Sequence, residues 1–355
     1  MKKIVLLFLF IFCPINVLGL SASSVTVMDM DTKRVLYSYN QNDVRLIASI
    51  SKIMTSYVTL NNANIKDIVT IDKSVLKSYG SGIYVEVGEK MSLENLLYGL
   101  MLRSGNDAAI QIANYVGGSM DGFVELMNET AKSIGMKKTS FLNSSGLEES
   151  NGEGNMSTSY DMALLMSDAM KNENFRNIVS TKEKIVKTNY KTYLWHNKNK
   201  LLKNYEYCTG GKTGFTEKAR RTLVTTASKD NMNLVIVTLN DGNDFKDHED
   251  LYKKHFKEYK SYKVLDKNET FDNKNYYIKS DKYLTLKKDE YNKIKKDVFI
   301  YKDNISDIVG YITFTLDNEL LLKEYIYEKK VEIKNKKKEI TFFDKIKKIL
   351  GIDNM

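Results

Sequence analysis

The stretch RLIASISKIMTSYV, Arg45–Val58, places three serines and one lysine within a few residues of one another. Its apolar residues recur at helical spacing, which predicts a helix over residues 49–60. Residues three apart share one face of a helix, so Lys52 Nζ can approach Ser49 Oγ. A serine hydroxyl needs a base to act as a nucleophile, and lysine serves only when its neutral form is accessible. Alone, this pair is far more typical of an ordinary solvated helix surface than of a catalytic site.

A second motif, Ser104-Gly105-Asn106, lies at the junction of two predicted helices in SLENLLYGLMLRSGNDAAIQIANYVGG. A loop between helices can project a hydroxyl and an amide into a cleft, where Ser104 could relay a proton and Asn106 could bind a substrate amide. Serine, glycine and asparagine are also common turn residues, so this motif is weak by itself.

A third motif, Gly210-Gly211-Lys212-Thr213-Gly214, comes directly before two predicted strands. Glycines allow a ligand backbone to approach an edge strand closely, and Lys212 with Thr213 could then hold an anionic group. A phosphate-binding P-loop does not fit, because that loop requires G-x-x-x-x-G-K-[ST] at the start of a helix.

The order of predicted elements indicates an α/β sandwich. SVTVMDMDTKRVLYSYN, residues 24–40, alternates apolar and polar residues around a turn, which predicts a hairpin. RRTLVTTASKDNMNLVIVTLND, residues 220–241, predicts a second strand pair. Amphipathic helices fill the chain between them. We therefore expect strands from both ends of residues 23–259 to share a sheet, with a helical insertion between them.

The termini differ from this region in composition. Residues 1–22 have two lysines, an apolar run and small residues near Leu20-Ser21-Ala22, the layout of a secretory signal peptide; an uncleaved anchor is the alternative. Residues 260–333 predict a small β-rich domain. Residues 334–355 form a basic amphipathic tail, which we expect to lie on a membrane surface rather than to pack on the β-rich domain or stay disordered.

Other candidate residues carry less weight. His248 and His255 are seven apart on one predicted amphipathic helix, so surface or packing roles are expected for them. Ser51 and Ser56 are expected to be helix-surface or packing residues, since neither stands three before a lysine. Cys208 is the one cysteine outside the signal peptide, which excludes an internal disulfide and a cysteine-based metal site.

Taken together, S-x-x-K, S-x-N and K-T-G in this order resemble the signature of penicillin-binding proteins and class A β-lactamases. Four stretches resemble the D-alanyl-D-alanine carboxypeptidases of peptidase type S11, the low-molecular-mass penicillin-binding proteins. They are IASISKIMTSYVTL, VGEKMSLENLLYGLMLRSGNDAAIQIA, NKNKLL and GGKTGFTEKARRTLVTTA. The resemblance covers roughly residues 23–259. It implies the penicillin-binding-protein/β-lactamase-like sandwich, an antiparallel sheet with helices on both faces.

The resemblance also implies a role for each motif residue. Ser49 would be the acylated nucleophile and Lys52 its general base. Apart from the resemblance, we expect the nearby Lys212 charge to be what lets Lys52 lose its proton at neutral pH. Ser104 and Asn106 would line the cleft, with Ser104 passing a proton to the leaving amine. The terminal carboxylate of the substrate would bind Lys212 and Thr213, within the substrate-binding set that includes Gly214. The backbone N–H groups of Ser49 and Phe215 would form the oxyanion hole.

Two departures from the family pattern stand out. Cys208-Thr209-Gly210-Gly211 precedes K-T-G where many members have an Asp-Gly pair and an apolar residue, and Phe215 replaces a more common histidine or tyrosine. The first puts little in doubt. The second could alter substrate preference, although the backbone donor remains.

The resemblance predicts an exported serine-type D-Ala-D-Ala carboxypeptidase that acts on peptidoglycan stem pentapeptides and is acylated by β-lactams. It implies no metal and no organic cofactor. We expect the protein outside the cytoplasm, at the outer face of the cytoplasmic membrane. Because it is exported, we expect no nucleic-acid partner despite the formal net charge of +9. A β-lactamase of the same fold and a catalytically silent wall-binding protein remain as alternatives.

Overall fold

The computed structural model describes residues 19–269, 271, 276–301 and 307–328. The predicted signal peptide lies outside these residues except for its last four positions, and the predicted basic tail lies wholly outside them. Within the described part of the chain, no helix has both the length and the apolar character needed to cross a bilayer.

Helices occupy mainly the middle of the sequence. They are α1 Lys52–Asn62, α2 Leu93–Arg103, α3 Asn106–Gly117, α4 Met120–Ile134, α5 Ser159–Ala169, α6 Glu173–Ser180, α7 Leu201–Asn204, α8 Asp244–Glu258 and α9 Lys288–Tyr291, with 3₁₀ turns at Ala48–Ser51 and Lys73–Lys77.

Strands lie at both ends of the first region and continue after it. They are β1 Ser24–Asp29, β2 Val35–Tyr39, β3 Arg45–Leu46, β4 Ile68–Thr70, β5 Lys90–Ser92, β6 Met156–Ser157, β7 Glu183–Lys187, β8 Thr192–His196, β9 Cys208–Thr216, β10 Arg220–Lys229, β11 Met232–Leu239, β12 Lys260–Leu265, β13 Tyr276–Tyr277, β14 Lys282–Leu286, β15 Lys295–Ile300, β16 Ile308–Leu316 and β17 Glu319–Glu328.

The central sheet is antiparallel in the order β2-β1-β11-β10-β9. Val25 of β1 is opposite Thr238 of β11, and Val27 is opposite Ile236, so the two ends of the region pair as expected. The segment that carries K-T-G is itself a strand, β9, and it forms one edge of this sheet. A substrate backbone can therefore approach it from the open side.

Side chains alternate between the two faces of β11 and pack on different helices. Val235 and Val237 belong to a core with residues of α5 and α6. Leu234 and Ile236 belong to another core with Leu251 of α8. The expected sandwich, a sheet with helices on both faces and a helical insertion, is confirmed.

One short segment from the predicted β-rich region belongs to the first unit. The contacts divide the chain into one unit that ends at Tyr262 but includes Leu284–Asn292, and another made of the remaining later residues. Arg34 explains the assignment, because its two terminal nitrogens lie 3.0 and 2.6 Å from the Glu290 carboxylate. Arg34 also donates to the Thr285 carbonyl at 2.9 Å.

The second unit contains an antiparallel sheet in the order β13-β17-β16-β15. Asp317 and Asn318 connect β16 to β17 with φ values of 49° and 69°. Positive φ at both central residues matches a two-residue hairpin turn, which favours Asp and Asn there. Alternating apolar and polar residues on both sides of Asp317-Asn318 predict this hairpin, and the structure confirms it.

Candidate active site

The nucleophile turn, Ala48–Ser51, is a 3₁₀ turn that leads directly into α1. Ala48 has φ of +49°, a left-handed conformation that is costly for a residue with a side chain. The Thr222 hydroxyl of β10 bonds the Ile47 carbonyl at 3.0 Å and so ties the turn to the central sheet. Ser49 sits in this strained, supported turn and faces a cavity.

Lys52 is the first residue of α1 and is fully buried. Its Nζ lies 3.1 Å from Ser49 Oγ and 2.8 Å from Asn106 Oδ1, and it also bonds the Ser145 carbonyl. A neutral lysine has two N–H bonds and one lone pair. The two N–H bonds can go to Asn106 and Ser145, which accept only, and the lone pair then faces the Ser49 hydroxyl. This arrangement suits Lys52 as a proton acceptor.

Burial lowers the pKa of Lys52 to about 7, and the positive charge of Lys198 is the second cause. Asp107 opposes both by raising the pKa. The expectation that the Lys212 charge lowers the pKa of Lys52 is wrong, because burial is the main cause and the Lys198 charge is the second. Burial, and after it repulsion from Lys52 and Lys198, holds the pKa of Lys212 well below its usual range.

The second motif follows the end of α2 at Arg103. Ser104 takes a left-handed conformation with φ of 64°, and the chain then turns into α3 at Asn106. Ser104 lines the cavity that Ser49 faces. The Asn106 side chain accepts from Lys52 and donates to the Tyr79 carbonyl at 2.6 Å. One of its two amide N–H bonds thus remains for a substrate.

The third motif runs along the edge strand β9. Thr213, Gly214 and Phe215 line the same cavity, and the Phe215 side chain is 54% exposed. Lys212 is buried instead, and its Nζ donates to the Thr213 carbonyl. Thr213 is thus the residue of this motif whose side chain is placed to meet a ligand directly, while Lys212 lies behind the cavity wall. A direct bond from Lys212 to substrate remains a prediction.

Gly214 is required by its distance from the nucleophile turn. A Cβ at this position would lie 3.0 Å from the Ser49 amide nitrogen and 3.1 Å from that of Ile50. It would also overlap the Thr222 hydroxyl. A side chain here would obstruct the Ser49 N–H group, which is one of the two donors predicted for the oxyanion hole.

The cavity measures about 340 Å³ and is lined by residues from all three motifs. Its other lining residues were not singled out from the sequence: Ser81, Lys198, Lys200, Arg221, Asp244 and Phe245. Three of these are cations and one is an acid, so the cavity favours an anionic ligand. The two lysines lie in NKNKLL, a stretch whose likeness to the family was the only sequence signal for them.

Asp107 is a further residue that sequence reasoning missed, although it directly follows the second motif. Its buried carboxylate accepts the backbone N–H groups of Ile83 at 3.0 Å, Tyr84 at 2.6 Å and Ala108 at 2.9 Å. Tyr84 has φ of +60°, which is a strained conformation for an aromatic residue. Asp107 therefore holds the loop of residues 79–85, which supplies Ser81 to the cavity and the Tyr79 carbonyl to Asn106.

The remaining candidates lie away from the cavity lining. Ser51 and Ser56 are fully buried, so they are packing residues and not surface residues. His248 is also buried, between the hydroxyls of Thr225 at 2.7 Å and Thr238 at 3.0 Å. Burial lowers its pKa to about 3, so it stays neutral. His255 is buried as well, and its Nδ1 lies 2.7 Å from the Leu251 carbonyl.

Cys208 is largely buried, and burial raises the pKa of its thiol to about 11. A thiol nucleophile needs the opposite shift, toward thiolate. The cysteine is therefore not the nucleophile of this site.

Residues 15–243 match the family model of the peptidase S11 D-alanyl-D-alanine carboxypeptidases. The carboxypeptidase DacF of Bacillus subtilis is 37% identical over 222 residues, which are 61% of this chain and 56% of that protein. This chain thus matches little more than half the length of that relative.

Solved structures agree in fold. The carboxypeptidase DacD of Francisella tularensis is 25% identical with a TM-score of 0.68, covering 92% of this chain and 95% of that one. A DD-transpeptidase of Streptomyces is 31% identical with a TM-score of 0.64, covering 67% and 98%. The chain carries the three motifs, in the expected order, within the matched residues, and it belongs to the D-alanyl-D-alanine carboxypeptidase family, peptidase S11.

Proposed function

We propose that this protein is a serine-type D-Ala-D-Ala carboxypeptidase that removes the terminal D-alanine from peptidoglycan stem pentapeptides. One observation carries the proposal: Ser49 Oγ lies 3.1 Å from a fully buried lysine whose pKa is lowered to about 7. A neutral lysine at this distance can remove the serine proton at neutral pH. The family and the names of the relatives supply the substrate class.

The reaction begins when Lys52 takes the Ser49 proton and Oγ attacks the carbonyl carbon of the penultimate D-alanine. The resulting oxyanion is held by the backbone N–H groups of Ser49 and Phe215. Preorganised donors of this kind typically contribute about 10²–10³ in rate each. The proton then passes from Lys52, through Ser104, to the leaving amine, which departs as D-alanine. Water hydrolyses the acyl-enzyme and restores Ser49.

The terminal carboxylate of the substrate is bound by Thr213 and by the cationic side of the cavity. Lys198 and Lys200 lie on that wall with Arg221, and all three line the cavity. Arg221 is also 3.8 Å from the Asp244 carboxylate, which fixes one end of its side chain. Lys212 stays behind the wall, where burial, and after it repulsion from Lys52 and Lys198, holds its pKa well below the usual range.

A penicillin should acylate the same serine, because its lactam resembles the D-Ala-D-Ala peptide. A β-lactamase would then release the adduct quickly, and a carboxypeptidase would keep it. We favour the carboxypeptidase because the matching family and the relatives from Bacillus subtilis and Francisella tularensis are carboxypeptidases, and the Streptomyces structure is a DD-transpeptidase. The catalytically silent alternative conflicts with the complete Ser49–Lys52–Asn106 hydrogen-bond network.

We further propose that the protein is exported by its N-terminal signal peptide and attached to the outer face of the cytoplasmic membrane by residues 334–355. Support comes from the charged and apolar pattern of both segments. A chain that ends after Ile340, expressed with its signal peptide, tests the tail. Release from the membrane fraction supports the proposal, and unchanged membrane association contradicts it.

The activity is tested by incubating the protein with a stem pentapeptide and measuring free D-alanine. The proposal predicts release of one D-alanine per peptide, loss of release in Ser49→Ala, and a penicillin adduct that outlasts the assay. Rapid loss of the adduct with lactam turnover would support the β-lactamase. Absence of both D-alanine release and adduct in the folded wild type would contradict any enzyme of this class.

A further inference from the structure

Two carboxylates outside the active site lie beside the first described residues of the chain. Asp241 follows β11 and Asp247 lies in the first turn of α8, and both side chains are at least 90% buried. Burial raises the pKa of Asp241 to about 6, and the negative charge of Asp247 contributes to the rise. Asp241 Oδ2 is buried and accepts no hydrogen bond of normal length from any residue that the structure describes. Among the described residues, neither Asp241 nor Asp247 forms an ion pair with a lysine or arginine.

Ser21 makes several of the contacts of this pair, and the Asn243 backbone N–H also donates to Asp241 Oδ1 at 3.1 Å. The Ser21 backbone N–H donates to Asp247 Oδ2 at 2.8 Å, and its hydroxyl lies 2.6 Å from Asp241 Oδ1. The same hydroxyl accepts the Asn243 N–H at 2.8 Å. Leu20 packs against the core between the sheet and α8. Among the described residues, Leu20 is thus the first that packs against a core. Gly19, one residue earlier, is exposed and has no atoms within 4 Å of an added Cβ.

Cleavage of a signal peptide requires small residues near the cut, and the sequence offers five such bonds. They follow Gly19, Ser21, Ala22, Ser23 and Ser24. A cut after Ser21 or a later residue would remove the Ser21 contacts and leave both carboxylates buried without them, which is costly. A cut after Gly19 keeps every contact.

We propose that export processing hydrolyses the Gly19–Leu20 bond and that the new α-ammonium of Leu20 is the counter-charge of the Asp241–Asp247 pair. Hydrolysis by the membrane-bound signal endopeptidase consumes one water, leaves a carboxylate on Gly19 and frees the Leu20 amine, which takes up a proton. One residue spans at most ~3.6 Å. The Leu20 amine therefore lies near the Asp247 carboxylate, because Asp247 Oδ2 is 2.8 Å from the backbone nitrogen of Ser21, the next residue.

Processing occurs before the domain folds, so the fold does not choose the bond that is cut. The Ser21 contacts instead identify the cleavage product, beginning at Leu20, that keeps the Asp241–Asp247 pair hydrogen-bonded. An opposite charge within about 4–6 Å favours the ionised form of a carboxylate. The ammonium therefore lowers the pKa of Asp241 toward its ordinary value. It thereby offsets the free-energy cost of an ionised Asp241 in a buried position. This inference rests on the proposed export, which is why the experiment below separates the two.

The first experiment expresses the full-length chain in a secreting bacterial host and maps the N-terminal peptide of the product by mass spectrometry. A terminus at Leu20 is expected. A terminus at Ala22 or a later residue overturns the inference while export stands. Retention of Met1 overturns the inference together with signal-peptide cleavage, and penicillin labelling of Ser49 in the same sample still reports on the proposed activity.

The second experiment compares the melting temperatures of chains that begin at Leu20, at Leu20 with an acetylated α-amine, and at Ala22. The free Leu20 amine should give the highest value at pH 7, and acetylation should lower it by several degrees. Asp247→Asn should shrink the difference between the free and acetylated chains. Equal melting temperatures of the free and acetylated chains would contradict the Leu20 ammonium as the counter-charge, because acetylation keeps the Ser21 contacts and removes only the positive charge.

Discussion

Asn106 Oδ1 accepts a hydrogen bond from Lys52 Nζ at 2.8 Å, and this bond joins the first motif to the second. Because the Asn106 amide also donates to the Tyr79 carbonyl, its orientation is fixed from both ends. It accepts from Lys52 whether the lysine is neutral or charged. The lone pair of a neutral Lys52 is therefore directed at Ser49 and not at Asn106.

Asn106→Ala should lower the rate of acylation by about 10²-fold or more, the usual contribution of a positioned acid–base group. Lys52 loses an acceptor in a buried site and no longer points at Ser49. Asn106→Asp provides the contrast, because it keeps an acceptor but adds a negative charge that raises the pKa of Lys52. Its acylation rate should be low at pH 7 and recover at higher pH. An unchanged pH profile in Asn106→Asp would show that Lys52 is not the base.

The acylation rate of the wild type should rise with pH through about 7, where Lys52 loses its proton. Lys198→Gln removes a positive charge that lowers the pKa of Lys52, so the rise should move to higher pH and the rate at pH 6 should fall several-fold. Lys200→Gln is the control. Lys200 lines the same cavity but is not a cause of the Lys52 shift. Equal profiles for the two variants would contradict the role given to Lys198.

Asp107→Asn should move the same rise to lower pH, because Asp107 raises the pKa of Lys52. The variant should also lose stability by ~1–3 kcal/mol, since an amide cannot accept all the buried N–H groups that the carboxylate holds. Stopped-flow acylation and denaturant unfolding measure the two effects. A shift to higher pH in a folded variant would contradict the electrostatic assignment.

Gly146→Ala should remove acylation and destabilise the protein. Gly146 has φ of +84°, and a Cβ there would overlap the Ala48 carbonyl and approach Ser51 Oγ at 2.9 Å, displacing the nucleophile turn. Gly135→Ala is a matched control, with φ of +88° and no atoms near an added Cβ. It should cost only the left-handed strain of ~1–2 kcal/mol and leave acylation intact. Equal acylation rates in the two folded variants would show that the turn tolerates displacement.

Sequence patterns predicted those parts of the fold that depend on local periodicity. The hairpin β1–β2, the strand pair β10–β11 and the junction at Ser104 follow from alternation, helical spacing and turn residues. The three motifs also named Ser49 and Lys52, whose contact depends only on a three-residue helical spacing.

The other parts of the site depend on tertiary contacts that no local pattern reports. Lys198 and Asp107 act on Lys52 from distant positions in the chain, and nothing about an isolated lysine or aspartate distinguishes them. The burial of Lys212 is similar, because an alternating strand pattern does not say which side chain of β9 is covered. The placement of Leu284–Asn292 with the first unit rests on Arg34, about 250 residues earlier in the chain.

The most direct test of the account is the site of penicillin acylation. The protein is incubated with a labelled penicillin at pH 8, digested, and the modified peptide is sequenced by mass spectrometry, with Ser49→Ala and Ser51→Ala in parallel. The account predicts one stable adduct on Ser49 in the wild type and in Ser51→Ala, and none in Ser49→Ala. An adduct on any other serine, or one that persists in folded Ser49→Ala, would contradict Ser49 as the nucleophile.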